Sequence, residues 1–348
     1  MKKILALLLA LLLLTGCAPA KKPVEPATEP STQSTLTTAP STEPESTTEP
    51  TTQPITEPAT QPTTTPTTAP TTEPTTQPVE LPSAQSGLTV HFLDVQHADA
   101  IFLECDGEYA VVDAGFPEGG DHMVSYMKER GVKELELVVG THPHGDHIGG
   151  LPKVLNAFPT ETVWTSQLPY TNDYVSDFTQ AVTANGAEFV QPRPGASFQL
   201  GSATIDVIGP LNLLYEDAND LSLVLRVSYG NTRFLLTGDM EELAEKELVE
   251  AGVDLKADVL KVGHHGSASS TSYRFLRAVA PTYGVISLAA LNEYGHPHRD
   301  PLSRLMDADV TIYRTDKMYD IVAFSDGETV TFTTGNSYAE PWRPGDPR

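Results

Sequence analysis

The sequence predicts an α/β domain over residues 87–348, in which two mixed β-sheets pack face to face with helices on the outside. Two observations carry this expectation. Short β-branched runs alternate with helix-period runs, and the strands gather at the start and end of the stretch with helices interleaved. LTVHFLD (88–94), AIFLE (100–104) and YAVVD (109–113) are apolar and tightly connected, and read as a meander. A helical run follows at about 121–130, then the apolar strand LELVVGT (135–141). Helix is expected at 148–157 and 174–185, strand at 162–165 and 204–208. LSLVLRVSY and TRFLLTG flank Gly230-Asn231, a dipeptide suited to a hairpin turn. Helix 240–251, strand DVLKVG (258–263), helix 270–279, strand 282–287, helix 300–307 and strands within 310–333 complete the order.

The first 86 residues differ in kind. MKKILALLLALLLLTGC has a basic start and an apolar run too short to span a bilayer, which reads as a secretion signal over residues 1–17. Its ending, Leu-Thr-Gly-Cys, resembles the bacterial lipoprotein signal, which implies lipidation at Cys17 and a membrane anchor on the outer side of the cell membrane. Residues 18–86 are mostly Thr, Pro, Glu, Gln, Ser and Ala without aliphatic periodicity. Such a chain cannot bury enough apolar surface to offset ordering and is expected to be an extended spacer.

Charge and cysteine content narrow the function classes. Of 22 basic and 46 acidic residues, 4 and 8 lie in the first 86, so the remaining 262 residues carry 18 and 38, a formal −20. That field disfavours a dedicated binder of polyanions unless bound cations reverse its sign locally. Beyond Cys17 only Cys105 remains, so no intrachain disulfide is expected and stability must come from the core.

The chemistry concentrates in THPHGDHIGG (141–150). In an extended backbone His142 and His144 project to one side, Gly145 permits a bend, and Asp146 and His147 enter from the start of a helix. Two imidazoles thus point toward one spot, and a carboxylate with an imidazole toward its neighbour. Nitrogen and carboxylate donors together suit zinc, manganese or iron. Seven of the ten histidines fall in three loops, 142/144/147, 264/265 and 296/298, each after an expected strand.

The stretch THPHGDHIGG resembles the His-x-His-x-Asp-His signature of the metallo-β-lactamase superfamily. With HFLDVQHADAIFLE, NDLSLVLRVSYGNTRFLLTGD, LKVGHHGSASS and NEYGHPH in this order, the chain is similar to the ComEC-like competence hydrolase domain and to cell-surface phosphorylcholine esterases. The resemblance covers about 88–333. It implies the αββα sandwich and two divalent metal ions, Zn or Mn. His142 and His144 would hold the first ion, Asp146 and His147 the second, and Asp239 would bridge them. A histidine of the HHG stretch would complete the second site. His264 is favoured for that place, and His265 is left to contact substrate or donate a proton.

Two departures stand out. Asn219 occupies the place where many members supply a third histidine to the first ion, and Gln96-His97-Ala98-Asp99 replaces Gly-Gln-Gly-Asp. Asp94 and Asp99 are read as groups orienting a ligand histidine or as turn caps. Asn219, Ser267 and Asn292 are read as substrate-facing or supporting groups. Asp146, His265 and His296 are the candidate catalytic residues. The expected reaction is hydrolysis by a metal-bridging hydroxide. A phosphodiester of DNA or of a cell-wall polymer is the first substrate expectation. A small ester, lactone or lactam is the second, and a non-catalytic surface-binding module the third.

Overall fold

A computed structural model describes residues 86–347; the expected leader, Cys17 and all but the last residue of the spacer lie outside them. β1 (Leu88–Phe92), β2 (Ala100–Cys105) and β3 (Glu108–Ala114) form the expected antiparallel meander. α1 (Pro117–Glu129), β4 (Leu135–Gly140), α2 (Gly145–Ile148), α3 (Leu151–Ala157), β5 (Thr160–Thr165), α4 (Asp173–Asn185) and β6 (Glu188–Val190) follow. The second half contains β7 (Ser197–Leu200), β8 (Ala203–Gly209), β9 (Val224–Tyr229), β10 (Thr232–Leu236), α5 (Glu242–Glu250), β11 (Val259–Lys261), α6 (Tyr273–Val279) and β12 (Tyr283–Ile286). α7 (Arg299–Asp307), β13 (Thr311–Arg314), α8 (Thr315–Met318), β14 (Ile321–Ser325) and β15 (Val330–Thr334) close the order.

Two mixed sheets result. One runs β15-β14-β1-β2-β3-β4-β5-β6 and the other β13-β12-β11-β10-β9-β8-β7. Strands β3 to β6 are mutually parallel, as are β10 to β13, and the remaining pairs are antiparallel. The central strands are apolar on both faces because both faces are covered, whereas the edge strands β6, β7 and β15 are partly exposed. In β2, Ile101, Leu103 and Cys105 point into the core between the sheets, whereas Ala100 and Phe102 meet the layer of α1, α3 and α4. In β10, Phe234 and Leu236 face inward while Leu235 packs under α5, α6 and α7. The expected sandwich of two sheets with helices outside is therefore the observed one.

Several boundaries differ for physical reasons. The helix expected at 148–157 is two short helices, because Gly149 and Gly150 pass close against α1 and β3: a Cβ on Gly150 would sit 2.1 Å from the Ala114 carbonyl oxygen and one on Gly149 3.1 Å from the Pro117 ring. β6 and β7 were not anticipated; they have three and four residues and lie at the sheet edges, too short for a period to register. The closing strands are interrupted by the single turn of α8.

Parallel strands gather their C-terminal ends on one edge of each sheet. The loops after β4, β10, β11 and β12 and the end of β3 meet there, as expected for open parallel sheets, whose sites form beyond the carboxyl ends of the strands.

Candidate metal centre

Asp239 lies three residues beyond the end of β10, nearly fully buried, with its backbone N–H donating to the Ser222 hydroxyl at 3.1 Å. Its carboxylate is the hub of the site. Oδ2 lies 3.2 Å from His147 Nε2, 3.8 Å from His142 Nε2 and 3.7 Å from His264 Nε2; Oδ1 lies 3.6 Å from His265 Nε2. Asp146 Oδ2 is 3.4 Å from His265 Nε2 and 3.9 Å from His147 Nε2. His142 Nε2 and His144 Nδ1 face each other at 2.9 Å. The loop of 142–147 thus brings His142 and His147 to Asp239, with His144 against His142 and Asp146 against His147 and His265.

The fit to cations rests on orphaned atoms. Asp146, His147, Asp239 and His265 place one ligand atom each within 4.8 Å of one another. Among them His147 Nε2, His265 Nε2 and Asp239 Oδ1 are buried and have no hydrogen-bond partner. Buried polar atoms are normally satisfied, and such convergence of lone pairs calls for a positive charge. Donors about 2 Å from a tetrahedral zinc stand about 3.3 Å apart, close to the spacings seen.

The far sides of the rings are held. His147 Nδ1 donates to Asp113 Oδ2 at 2.8 Å, and Thr141 donates to the same carboxylate through N–H (2.8 Å) and hydroxyl (2.7 Å). His265 Nδ1 donates to the Ser287 carbonyl at 2.9 Å. Each bond commits Nδ1 as donor and leaves Nε2 as a lone pair, the usual support of a metal-binding histidine. Asp113 was missed by sequence reasoning. It looked like the end of a strand, yet it sits at φ 58°, a conformation that few residues other than glycine adopt.

Here the expectation about the histidine pair is reversed in geometry. His264 and His265 both lie at positive φ, 47° and 51°, and this double left-handed turn sends the rings different ways. His265 is buried among Asp146, Asp239 and His147, whereas His264 is about one quarter exposed and pairs Nδ1 with Glu241 at 3.0 Å. Glu241 Oε1 also accepts from the Ser269 hydroxyl at 2.7 Å and from Asn219 Nδ2 at 3.5 Å.

The remaining candidates separate. Asp99 is buried, 2.9 Å from the fully buried Lys261 ammonium and 3.5 Å from His265 Nδ1, so it lies beneath the site. A second grouping of donors, Asp99, Asp113 and His147, has both carboxylates already engaged by Lys261 and Thr141 and supports the first. Asp94 takes the turn-cap alternative: its Oδ1 accepts from the Gln96 N–H at 3.2 Å and its own N–H donates to Asp320. Ser267 turns to Ser269 at 2.8 Å and does not line the cavity. Asn292 braces its own loop, donating to the carbonyls of Ala289 (3.0 Å) and His296 (2.8 Å) and accepting from the His296 N–H (2.9 Å). Gly145 serves close approach rather than a bend, since a Cβ there would lie 2.4 Å from the Tyr174 ring.

A cavity of about 410 Å³ opens over the cluster, lined by His144, Asp146, Asn219, Asp239, His264 and His265 and also by His97, Tyr174, Tyr294 and His296. His97, Tyr174 and Tyr294 escaped sequence reasoning; only the unusual His97 in QHAD offered a signal. The electrostatics favour bound cations. Burial opposes charge on His147, yet Asp239, Asp113 and Asp146 raise it well above the ordinary imidazole range. Burial and His147 hold His142 well below that range. Burial would raise Asp239, but His147 and His265 hold it well below the usual carboxylate range. Against burial, the Glu241 hydrogen bond raises His264. Burial lowers His97 to about 4 and His296 to about 3, so both are neutral at ordinary pH.

Residues 93–290 match the family described as the Metallo-beta-lactamase superfamily. The chain belongs to that superfamily. It is thus an α/β member of a superfamily of metal-dependent hydrolases, which hold divalent ions, usually in pairs. It is 30% identical over 259 residues to ComE operon protein 3 of Bacillus subtilis (strain 168), covering 68% of this chain and 33% of that one. It is 30% identical over 221 residues to Recombination protein 2 of Haemophilus influenzae, covering 62% and 26%. Competence protein ComA of Neisseria gonorrhoeae is 28% identical over 238 residues, covering 68% and 32%. The chain spans about a third or less of the length of these curated relatives, and falls with their ComEC-like branch of the superfamily. Among the described residues no helix is long and apolar enough to cross a membrane.

Proposed function

We propose that this superfamily member is a dinuclear phosphodiesterase, tethered outside the cell membrane through Cys17, acting on DNA or a cell-wall phosphodiester. The observation that carries the reading is the sharing of Asp239 between two donor groups. His142, His144 and Asp239 would hold one divalent ion, and Asp146, His147, His265 and Asp239 the other, with Zn or Mn suited to this nitrogen and carboxylate set. When bound, such a pair acidifies a water and neutralises charge on the attacked group, which suits an anionic ester above all.

The chain's own residues do the rest. Asp113 and the Ser287 carbonyl fix the tautomers of His147 and His265. His264, held by Glu241 and open to the cavity, is placed to hand a proton to the departing oxygen, while His265 takes the ligand role. In the reaction, water oxygen bonds to phosphorus, the P–O bond to one arm breaks, and the alcohol leaves with a proton. His296 forms part of the cavity wall. The tether is supported by the leader-like sequence MKKILALLLALLLLTGC alone.

A second reading, hydrolysis of a small ester, lactone or lactam, has its own support: none of the described residues lining the cavity is Lys or Arg. The test compares the metal-loaded chain with and without chelator on bis-p-nitrophenyl phosphate, plasmid DNA and nitrocefin. Chelator-sensitive cleavage of a phosphodiester, without turnover of nitrocefin, is expected. Turnover of nitrocefin alone would favour the second reading, and full metal occupancy without any turnover would favour a binding module.

A further inference from the structure

One wall of the cavity is a stack of rings. Tyr294 lies against His97 with ring centres 5.1 Å apart and planes 17° apart, and against His296 at 5.6 Å and 28°. His97 in turn reaches His265 of the donor cluster at 4.8 Å. The phenol ring is therefore backed by two imidazoles and connected to the metal centre, yet 59% of Tyr294 stays exposed. Its loop is stiff, because the Asn292 carboxamide clasps the backbone on either side of it. A ring held in place loses little freedom when a ligand settles on it. His97 and Tyr294 also border an adjoining groove of about 390 Å³ that includes Phe116 and the 96% exposed Leu291.

Charge points the same way. Among the described residues lining the cavity and the groove there is no Lys or Arg, while Asp146 and Glu293 are present. A long polyanion is gripped through a series of cationic side chains along its phosphates, with rings as an addition to them. This surface supplies the rings without the cations.

We propose that the site prefers small phosphodiesters bearing a single negative charge, with a planar ring on the ester arm that stays on phosphorus seated on Tyr294 beside His97 and His296, over long polyanions. The proposal rests on the phosphodiesterase reading. The ring arm supplies binding away from phosphorus, and each further phosphate meets an acidic surface instead of a cation. Nucleobases and other aromatic groups share the chemistry that this wall recognises.

The test uses the full chain loaded with zinc or manganese and three esters of equal charge and identical leaving group: thymidine 5′-(p-nitrophenyl phosphate), benzyl p-nitrophenyl phosphate and methyl p-nitrophenyl phosphate. Both esters with a ring on the retained arm are expected to exceed the methyl ester in kcat/KM by about tenfold, chiefly through KM, as loss of one stacked ring would predict. Tyr294→Ala should collapse that ratio toward one and Tyr294→Phe should keep it. A preference for the thymidine ester alone assigns the wall to a nucleobase, and equal preference for both assigns it to aromatic arms in general. A long thymidine oligonucleotide should compete with the thymidine ester no better than a dinucleotide does. Equal kcat/KM for all three esters, a ratio unmoved by Tyr294→Ala, or much stronger competition by the oligonucleotide overturns the proposal. Lack of metal-dependent cleavage of any ester overturns the phosphodiesterase reading and this proposal with it.

Discussion

At the scale of single residues, the decisive asymmetry is between His264 and His265. Both are imidazoles in one turn, but His265 has Nδ1 tied to a carbonyl and Nε2 unpartnered among carboxylates, whereas His264 has Nδ1 tied to Glu241 and an edge open to the cavity. His265→Ala should therefore lower the bound metal from about two ions per chain toward one, while His264→Ala should keep both and lower kcat by about 100-fold, the scale of a lost proton donor. Metal analysis beside steady-state kinetics separates the two outcomes. Equal metal loss in both variants would sink the division of roles. The histidine-rich stretch THPHGDHIGG stood out in the sequence because its residue types and order are specific, and Asp239 was placed beside it by the family resemblance. The choice between His264 and His265 was not, since it turns on two successive positive φ angles that no residue type announces. Asp113 was hidden for a related reason: it ends a strand pattern and acts only through a histidine 34 positions away.

At the scale of elements, close packing aims the loops. α2 is a single turn whose first residue, Gly145, lies under the Tyr174 ring of α4. Gly145→Ala should destabilise the fold by about 1–3 kcal/mol, because the added methyl must displace the ring or the turn that carries Asp146 and His147. Denaturant unfolding measures it, and an unchanged midpoint would contradict the packing described. A second junction joins α5 to α6, where buried Glu245 accepts from the N–H groups of Thr271 and Ser272 (2.8 Å for the latter). Burial raises the Glu245 carboxyl from 4.5 to about 7. The folded chain thus keeps a proton that the unfolded chain releases between about pH 4.5 and 7, so stability from this group is greatest below that window and declines through it. Glu245→Gln should flatten that part of the curve of melting temperature against pH, whatever its constant offset. Long, periodic elements were legible before the structure. The split of 148–157 was not, because the need for Gly149 and Gly150 comes from α1 and β3 crossing elsewhere in the chain.

At the scale of the whole molecule, two sheets bring their parallel strand ends to one edge, and the resulting loops hold imidazoles and carboxylates that are too buried and too close to be left without positive charge. Much of the stability of this edge should then depend on metal. Zinc or manganese at 100 times its dissociation constant should stabilise the chain by about 2.7 kcal/mol per site, read as a rise in melting temperature that Asp239→Asn largely removes. The alternation of strands and helices made the sandwich legible in outline. Which loops meet at which edge became visible only through the strand order. Anomalous diffraction from crystals grown with manganese or zinc tests the central claim most directly. Two peaks are predicted, one bounded by His142, His144 and Asp239 and one by Asp146, His147, His265 and Asp239, with Asp239 touching both. Density for these side chains with no anomalous peak between them would contradict it.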